Sequence, residues 1–154
     1  MKENIVLLDS LIIAGCKGGF CPSKNDFNGL MHAWHSFFSL EQNELKESLK
    51  NDQFWGVTYN LDQSDFAIIA GCLVTTANIE SKKLSVFETN TQPFIQCEHR
   101  GNPQTMGDTI KDMYEWIAAS EHELSDYYYL EMYDTRCNPE EPDSYVVDLF
   151  FPIK

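Results

Sequence analysis

Apolar and polar residues follow one another along the first half of the chain in a pattern that predicts mixed strands and helices. Residues 5–16 are strand-like and end at the turn former Gly18. From residue 27 to about residue 50 the spacing is helical, with apolar side chains at Leu30, Ala33, Trp34, Phe37, Phe38, Leu45 and Leu49. Residues 53–60 and 66–76 are then typical of a β-hairpin.

The second half repeats this order of elements. Residues 84–101 are extended, and residues 102–120 form an amphipathic helical pattern. Two strands follow at 127–134 and 145–153. We therefore predict one α+β domain of two pseudo-repeated β-α-β-β units, about 1–80 and 81–154. The units form antiparallel sheet with two helices packed against it and a central ligand cleft.

The two hairpins suggest how the repeats correspond. FWGVTYN in the first half occupies the place of YYLEMYD in the second, which aligns Tyr59 with Tyr133 and Val57 with Glu131. Two such units would pair around a pseudo-twofold axis. The region between them is a natural position for a ligand cleft.

The strand at 127–134 has an unusual face. Side chains alternate along a strand, so one face has Leu130 flanked by apolar neighbours and the other sets Glu131 among tyrosines. Aromatic ring faces attract positive charge, and a carboxylate among them suits an organic cation. The alternative is an ordinary solvent-facing strand, but this would expose a large aromatic surface.

These patterns define a set of candidate ligand-binding residues. The first group lies on the predicted C-terminal strands and comprises Glu131, Tyr133, Tyr129 and Phe150. The second group lies elsewhere and comprises Trp34, Tyr59 and Trp116. The two tryptophans are also at helical spacings that suit a core.

Composition narrows the classes of partner. The formal net charge is -13, from 24 acidic and 11 basic residues, so phosphate backbones are repelled and direct nucleic-acid binding is not expected. No apolar stretch reaches the roughly 18 residues of a membrane span, and no membrane association is expected. The N-terminus lacks the form of a signal peptide, and the five cysteines are odd in number, which favours free thiols in the cytoplasm.

Metal and cofactor signals are weak. His32 and His35 lie three residues apart, and Cys21 could approach them, but a zinc site needs a clearer third and fourth ligand. Gly18 and Gly19 lack the context of a phosphate-binding loop. We predict no metal and no cofactor.

The segments that follow resemble the GyrI-like small-molecule-binding domain. They are 94–101 (FIQCEHRG), 113–116 (MYEW), 130–134 (LEMYD) and 147–153 (VDLFFPI), with looser matches at 55–57 and 70–71. This domain is the effector-binding half of AraC- and MerR-type multidrug regulators of transcription, and it also occurs alone. The resemblance implies a two-repeat α+β fold with an aromatic cleft. It also places on Glu131 a buried glutamate that meets the charge of lipophilic cations.

Three functions remain open at this point. The preferred hypothesis is a stand-alone, non-catalytic module that senses or sequesters lipophilic, cationic small molecules, with no DNA-binding domain. The second is a hydrolase that opens strained rings of DNA-alkylating compounds, with Glu131 as general base. The third is a regulator similar to gyrase inhibitors, which acts on a protein partner. The sequence also leaves a homodimer open.

Overall fold

The computed structural model describes residues 3–40, 52–79 and 82–154. The elements in chain order are β1 (Glu3–Leu8), β2 (Ile12–Phe20), α1 (Asn28–Phe38), β3 (Phe54–Tyr59), β4 (Phe66–Leu73), β5 (Ser85–Glu88), β6 (Gln92–Arg100), α2 (Met106–Ala119), β7 (Tyr128–Tyr133) and β8 (Val146–Pro152). The predicted α+β class is confirmed. The predicted helical positions Leu45 and Leu49 lie outside the described residues.

Eight strands form one antiparallel sheet in the order β1-β6-β8-β7-β3-β4-β2-β5. The extended segment predicted at the start of each unit is divided into two strands, β1 with β2 and β5 with β6. The first strand of each half pairs with the other half: β1 lies beside β6, and β5 lies beside β2. The central pair, β7 and β3, joins the two halves.

The short links between these divided strands require a curled sheet. β1 and β2 are six positions apart in the sheet, about 29 Å if it were flat, but three linking residues span only about 14 Å. β5 and β6 are also six positions apart in the sheet and are also joined by only three residues, so their link requires the same curvature. The two links meet, since the Leu11 N–H donates to Thr89 Oγ1 at 2.9 Å and the Thr89 N–H donates to the Leu11 carbonyl at 2.9 Å.

The curled sheet has two buried faces. The inner face brings residues from both edges and the centre of the sheet into one apolar cluster: Ile13, Trp55, Val57, Ile69, Phe94, Tyr128, Leu130, Met132 and Phe150. The opposite face, here called the helix face, is covered by α1 on the first half and α2 on the second. Burial of apolar surface on both faces is the main stabilising contribution to this fold.

Two glycines let α1 approach the sheet closely. A Cβ at Gly18 in β2 would collide with the Gly29 carbonyl oxygen, and a Cβ at Gly29 would collide with the Gly19 carbonyl oxygen. Helix and strand backbones therefore touch where α1 begins. About one and a half turns later, Trp34 reaches the central strand β3 at Gly56.

No helix in the described ranges is long and apolar enough to cross a membrane. All five cysteines lie in the described ranges as thiols outside any disulfide, and four of them are buried.

Candidate functional site

The central strands place the tyrosine face of β7 against a glycine of β3. On the helix face, Glu131 lies opposite Gly56, and Tyr133 lies opposite Phe54. Val57 lies opposite Leu130, so its side chain points to the inner face. The predicted repeat alignment sets Val57 against Glu131, but the structure places these two side chains on opposite faces of the sheet, so they are not equivalent positions.

The absence of a side chain at Gly56 creates the space that Glu131 fills. A Cβ built on Gly56 would lie 2.6 Å from Glu131 Oε1 and 3.0 Å from Trp34 Cζ2. The carboxylate and the indole edge therefore both lie directly over the backbone of Gly56. Only 5% of Glu131 is exposed.

Aromatic rings close over this carboxylate. The Tyr133 hydroxyl donates a hydrogen bond to Glu131. The Tyr133 ring meets Trp34 edge-on, with ring centroids 5.2 Å apart and an interplanar angle of 75°. Trp34 in turn stacks on Phe38 at 5.9 Å. The structure thus brings Glu131, Tyr133 and Trp34, three of the predicted residues, into one cluster.

Burial raises the pKa of the Glu131 carboxyl to about 7, and the hydrogen bond from Tyr133 opposes this rise. None of the ion pairs between described residues includes Glu131; the arginine in that part of the chain, Arg136, pairs with other carboxylates. A buried carboxylate without a counter-ion is costly. With a pKa of about 7, the Glu131 carboxyl changes its protonation state close to neutral pH.

Tyr129 lies deeper on the same face, next to the α2 cluster. Its hydroxyl is hydrogen-bonded to the buried Thr58, which lies opposite it on β3. The nearby Tyr114 hydroxyl, from α2, is buried and has no hydrogen-bond partner among the described residues. Burial raises the pKa of both tyrosines, so both hydroxyls stay protonated.

An open cavity of about 320 Å³ adjoins this cluster. Its lining is mostly aromatic or apolar: Trp34, Phe38, Phe54, Pro103, Tyr133, Asp134, Cys137, Pro139 and Tyr145. Glu131 lies behind Trp34 and Tyr133 and is not among the described residues of the lining. The sequence prediction missed Phe54 and Tyr145; for Phe54, the cross-strand pairing with Tyr133 would have indicated its position.

An arginine links the segment after β7 to the neighbouring strands β8 and β6. Arg136, in the connection after β7, pairs with Asp134 at 2.9 Å, with Asp148 at 2.7 Å and with Glu98 at 3.2 Å. The pairing lowers the pKa of Asp134 and keeps that carboxylate ionised. The same connection contributes Cys137 to the cavity.

The other three predicted site residues lie elsewhere. Phe150 lies opposite Leu130 and stacks on Trp55 at 5.7 Å, so it belongs to the inner face rather than to the wall beside Tyr133. Tyr59 is two residues after Val57 on β3 and therefore also points to the inner face, where it packs near Phe87. Trp116 is 38% exposed on the outer side of α2 and stacks on His122.

Solved structures share this fold over the whole chain. A putative bacterial transcription regulation protein from Staphylococcus aureus MU50 has 13% sequence identity and a TM-score of 0.73, covering 100% of this chain and 99% of that one. SAV2435, solved bound to tetraphenylphosphonium, has 14% identity and a TM-score of 0.75, with coverage of 100% and 94%. A hydrolase encoded by lin2189 from Listeria innocua is less similar, with 8% identity, a TM-score of 0.58 and coverage of 99% and 92%.

No curated protein matches the chain in sequence. The family model of the GyrI-like small molecule binding domain, however, matches residues 1–154, the full length given. Its match agrees with the eight-stranded sheet, the two helices on one face and the small-molecule-sized cavity beside them. The chain therefore belongs to the GyrI-like small molecule binding domain family.

Proposed function

We propose that this protein binds lipophilic organic cations, with Glu131 neutralising the charge and the surrounding rings contacting the apolar body of the ligand. The observation that supports this most is the buried carboxyl of Glu131. It has no counter-ion among the described residues and lies directly behind an aromatic cavity. A cation is the ligand class that relieves the cost of this burial.

The interactions available are sufficient for micromolar affinity. Each ring face attracts a cation by roughly 0.5–2 kcal/mol, depending on desolvation. An ion pair at about 4 Å contributes around 4 kcal/mol at an effective dielectric near 20, before desolvation is subtracted. With apolar burial, these contributions reach the roughly 8 kcal/mol of a micromolar complex. Flat rings accept many ligand shapes, so we expect broad selectivity.

SAV2435 guides the choice of probe. That protein has a similar fold and was solved with tetraphenylphosphonium, a lipophilic cation. At 14% identity the similarity concerns the fold alone. Tetraphenylphosphonium is therefore a suitable first ligand for titrating this chain, with triphenylphosphine oxide as a neutral aromatic comparison.

The test is calorimetric titration of wild-type protein and Glu131→Gln with both compounds. We expect Glu131→Gln to weaken tetraphenylphosphonium binding at least tenfold and triphenylphosphine oxide binding less than twofold. Glu115→Gln, which removes one exposed charge from α2, is the matched control and should change neither affinity. Equal losses for the cation and the neutral compound in Glu131→Gln would contradict the electrostatic role.

Hydrolysis is a second candidate function, favoured by one observation. A carboxyl with a pKa of about 7 is suited to act as a general base for water near neutral pH. In such a reaction, Glu131 would take a proton from water as the water oxygen bonds to a strained ring carbon and a ring C–C bond at that carbon breaks. The electron pair of the broken bond would pass into the conjugated acceptor group of the alkylator, which then takes up a proton. Mass spectrometry after incubation with a cyclopropane-bearing alkylator should then show a water adduct. Glu131→Gln should not form it, and identical product yields with and without protein would exclude this activity.

A further inference from the structure

The open cavity and the buried carboxylate are separated by two side chains. Trp34 and Tyr133 line the cavity, and the same two side chains contact Glu131 or the space beside it. We propose that Trp34 and Tyr133 form a gate: a cation first occupies the cavity and reaches Glu131 only after the two rings separate. This inference rests on the proposed function and adds the order in which the site is used.

Contacts on the carboxylate side show that the gate is closed. Trp34 Cζ2 lies near the position that a Cβ of Gly56 would take, and Glu131 Oε1 is near the same position. The Tyr133 hydroxyl donates to the carboxylate, so a ligand cation must replace this hydrogen bond. With Glu131 only 5% exposed, a bulky cation cannot reach the carboxylate in this arrangement.

Contacts on the cavity side show what could hold a ligand before the gate opens. Phe38 and Phe54 meet edge-on at 5.1 Å and form part of the cavity wall. Phe38 is 61% exposed, so this aromatic surface is accessible from solvent. Asp134 adds an ionised carboxylate to the lining, although Arg136 balances part of its charge. Rings and a carboxylate are therefore available to an incoming cation while Glu131 is still covered.

The two rings are held in the closed position by different contacts, and this difference indicates which contact limits opening. The Trp34 ring is held by stacking on Phe38, by an edge contact with Phe37 and by its edge contact with Tyr133. Tyr133 has the same edge contact and, in addition, the hydrogen bond to Glu131. Hydrogen bonds to charged groups are stronger than neutral ones. We therefore infer that breaking the hydrogen bond from the Tyr133 hydroxyl to Glu131 limits the rate at which the gate opens.

Stopped-flow fluorescence with tetraphenylphosphonium tests this order of events. The background is Trp116→Phe, which removes the exposed indole on α2. Trp34 then reports on the site, while Trp55 remains buried on the inner face and contributes a constant signal. We expect a fast phase whose rate rises linearly with ligand concentration and a slower phase whose rate saturates. Tyr133→Phe should accelerate the slower phase at least threefold, and Asp134→Asn should slow only the fast phase.

Tyr145→Phe is the matched control, because Tyr145 also lines the cavity but is not hydrogen-bonded to Glu131. It should leave the slower phase unchanged. If Tyr133→Phe does not fold, Trp34→Phe provides a second test with the fluorescence anisotropy of rhodamine 6G as the signal. The smaller ring should again accelerate the saturating phase.

Two outcomes would overturn the gate, and a third would overturn the proposed function. A single phase with a rate linear in ligand concentration would contradict the gate, provided that equilibrium binding still depends on Glu131. A saturating phase unaffected by Tyr133→Phe and Trp34→Phe would contradict it equally. Equilibrium binding of tetraphenylphosphonium that is unchanged in Glu131→Gln would instead refute the proposed function, and the gate with it.

Discussion

The two faces of β7 are both buried, but they differ in how their polar groups are satisfied. On the inner face, Leu130 and Met132 pack into an apolar cluster, and the Tyr128 hydroxyl accepts a hydrogen bond from Gln92 at 2.9 Å. On the helix face, Glu131 is buried with a hydrogen bond from Tyr133 and no cation from the described residues. Burial alone therefore does not distinguish the two faces; a buried carboxyl with no cation among the described residues does.

The neighbouring strand shows the same contrast. On the inner face, Val57 fills the space opposite Leu130 with a fully buried side chain. On the helix face, Gly56 has no side chain, and Glu131 and Trp34 fill the space where a side chain would lie. The inner face is closely packed, whereas the helix face has room for a charged group and for the rings around it. The predictions below test this division.

The largest expected effect is on the inner face. Leu130→Ala should lower the free energy of unfolding by about 2–5 kcal/mol, because it leaves a cavity in a fully buried cluster. Urea denaturation measures this loss. Tetraphenylphosphonium affinity, measured below the urea transition, should stay within twofold of wild type. A loss of cation selectivity in Leu130→Ala would show that the two faces are not separate.

The next effect concerns the pH dependence of stability on the helix face. The folded-state pKa of Glu131 is raised, so its stability contribution is full below pH 4.5 and is lost as pH rises through about 7. Relative to Glu131→Gln, the wild-type protein should therefore lose about 3 kcal/mol of unfolding free energy between pH 4 and pH 8. Urea denaturation of both proteins across this range measures the difference. A constant difference would mean that the carboxyl is not desolvated.

A smaller effect distinguishes two buried hydroxyls. Tyr129→Phe removes the partner of Thr58, whose side chain is almost fully buried, and should cost about 1 kcal/mol of unfolding free energy. Tyr114→Phe removes a hydroxyl without a partner in the described residues and should be neutral or slightly stabilising. Thermal unfolding compares the two variants. Equal destabilisation would indicate that the Tyr114 hydroxyl has a partner in the folded protein.

Alternation along a single strand predicted the faces of β7 correctly. It placed Glu131, Tyr129 and Tyr133 on one face, and the structure has them on the helix face. It could not place Phe150 or Tyr59, because their faces depend on how β8 and β3 pair with β7. Pairing register is set by long-range contacts, which a local pattern does not contain.

The helices and the curvature of the sheet show the same limit. Helical spacing gave both Trp34 and Trp116 positions that suit a core, but it did not indicate which tryptophan would face the centre. The close backbone contact at Gly18 and Gly29 positions α1 so that Trp34 reaches Gly56. The sequence pattern also did not reveal that the first extended segment of each half is divided into two strands, β1 with β2 and β5 with β6. A break of three residues is too short to interrupt the extended pattern visibly.

The most direct test of the central claim is the number of protons released when tetraphenylphosphonium binds. Calorimetry at pH 6 in buffers of different ionisation enthalpy gives this number. If the cation pairs with Glu131, whose pKa is about 7, wild-type protein should release close to one proton per ligand at pH 6. Glu131→Gln should release none. Cation binding without proton release, or equal release in both proteins, would contradict the claim that Glu131 meets the ligand's charge.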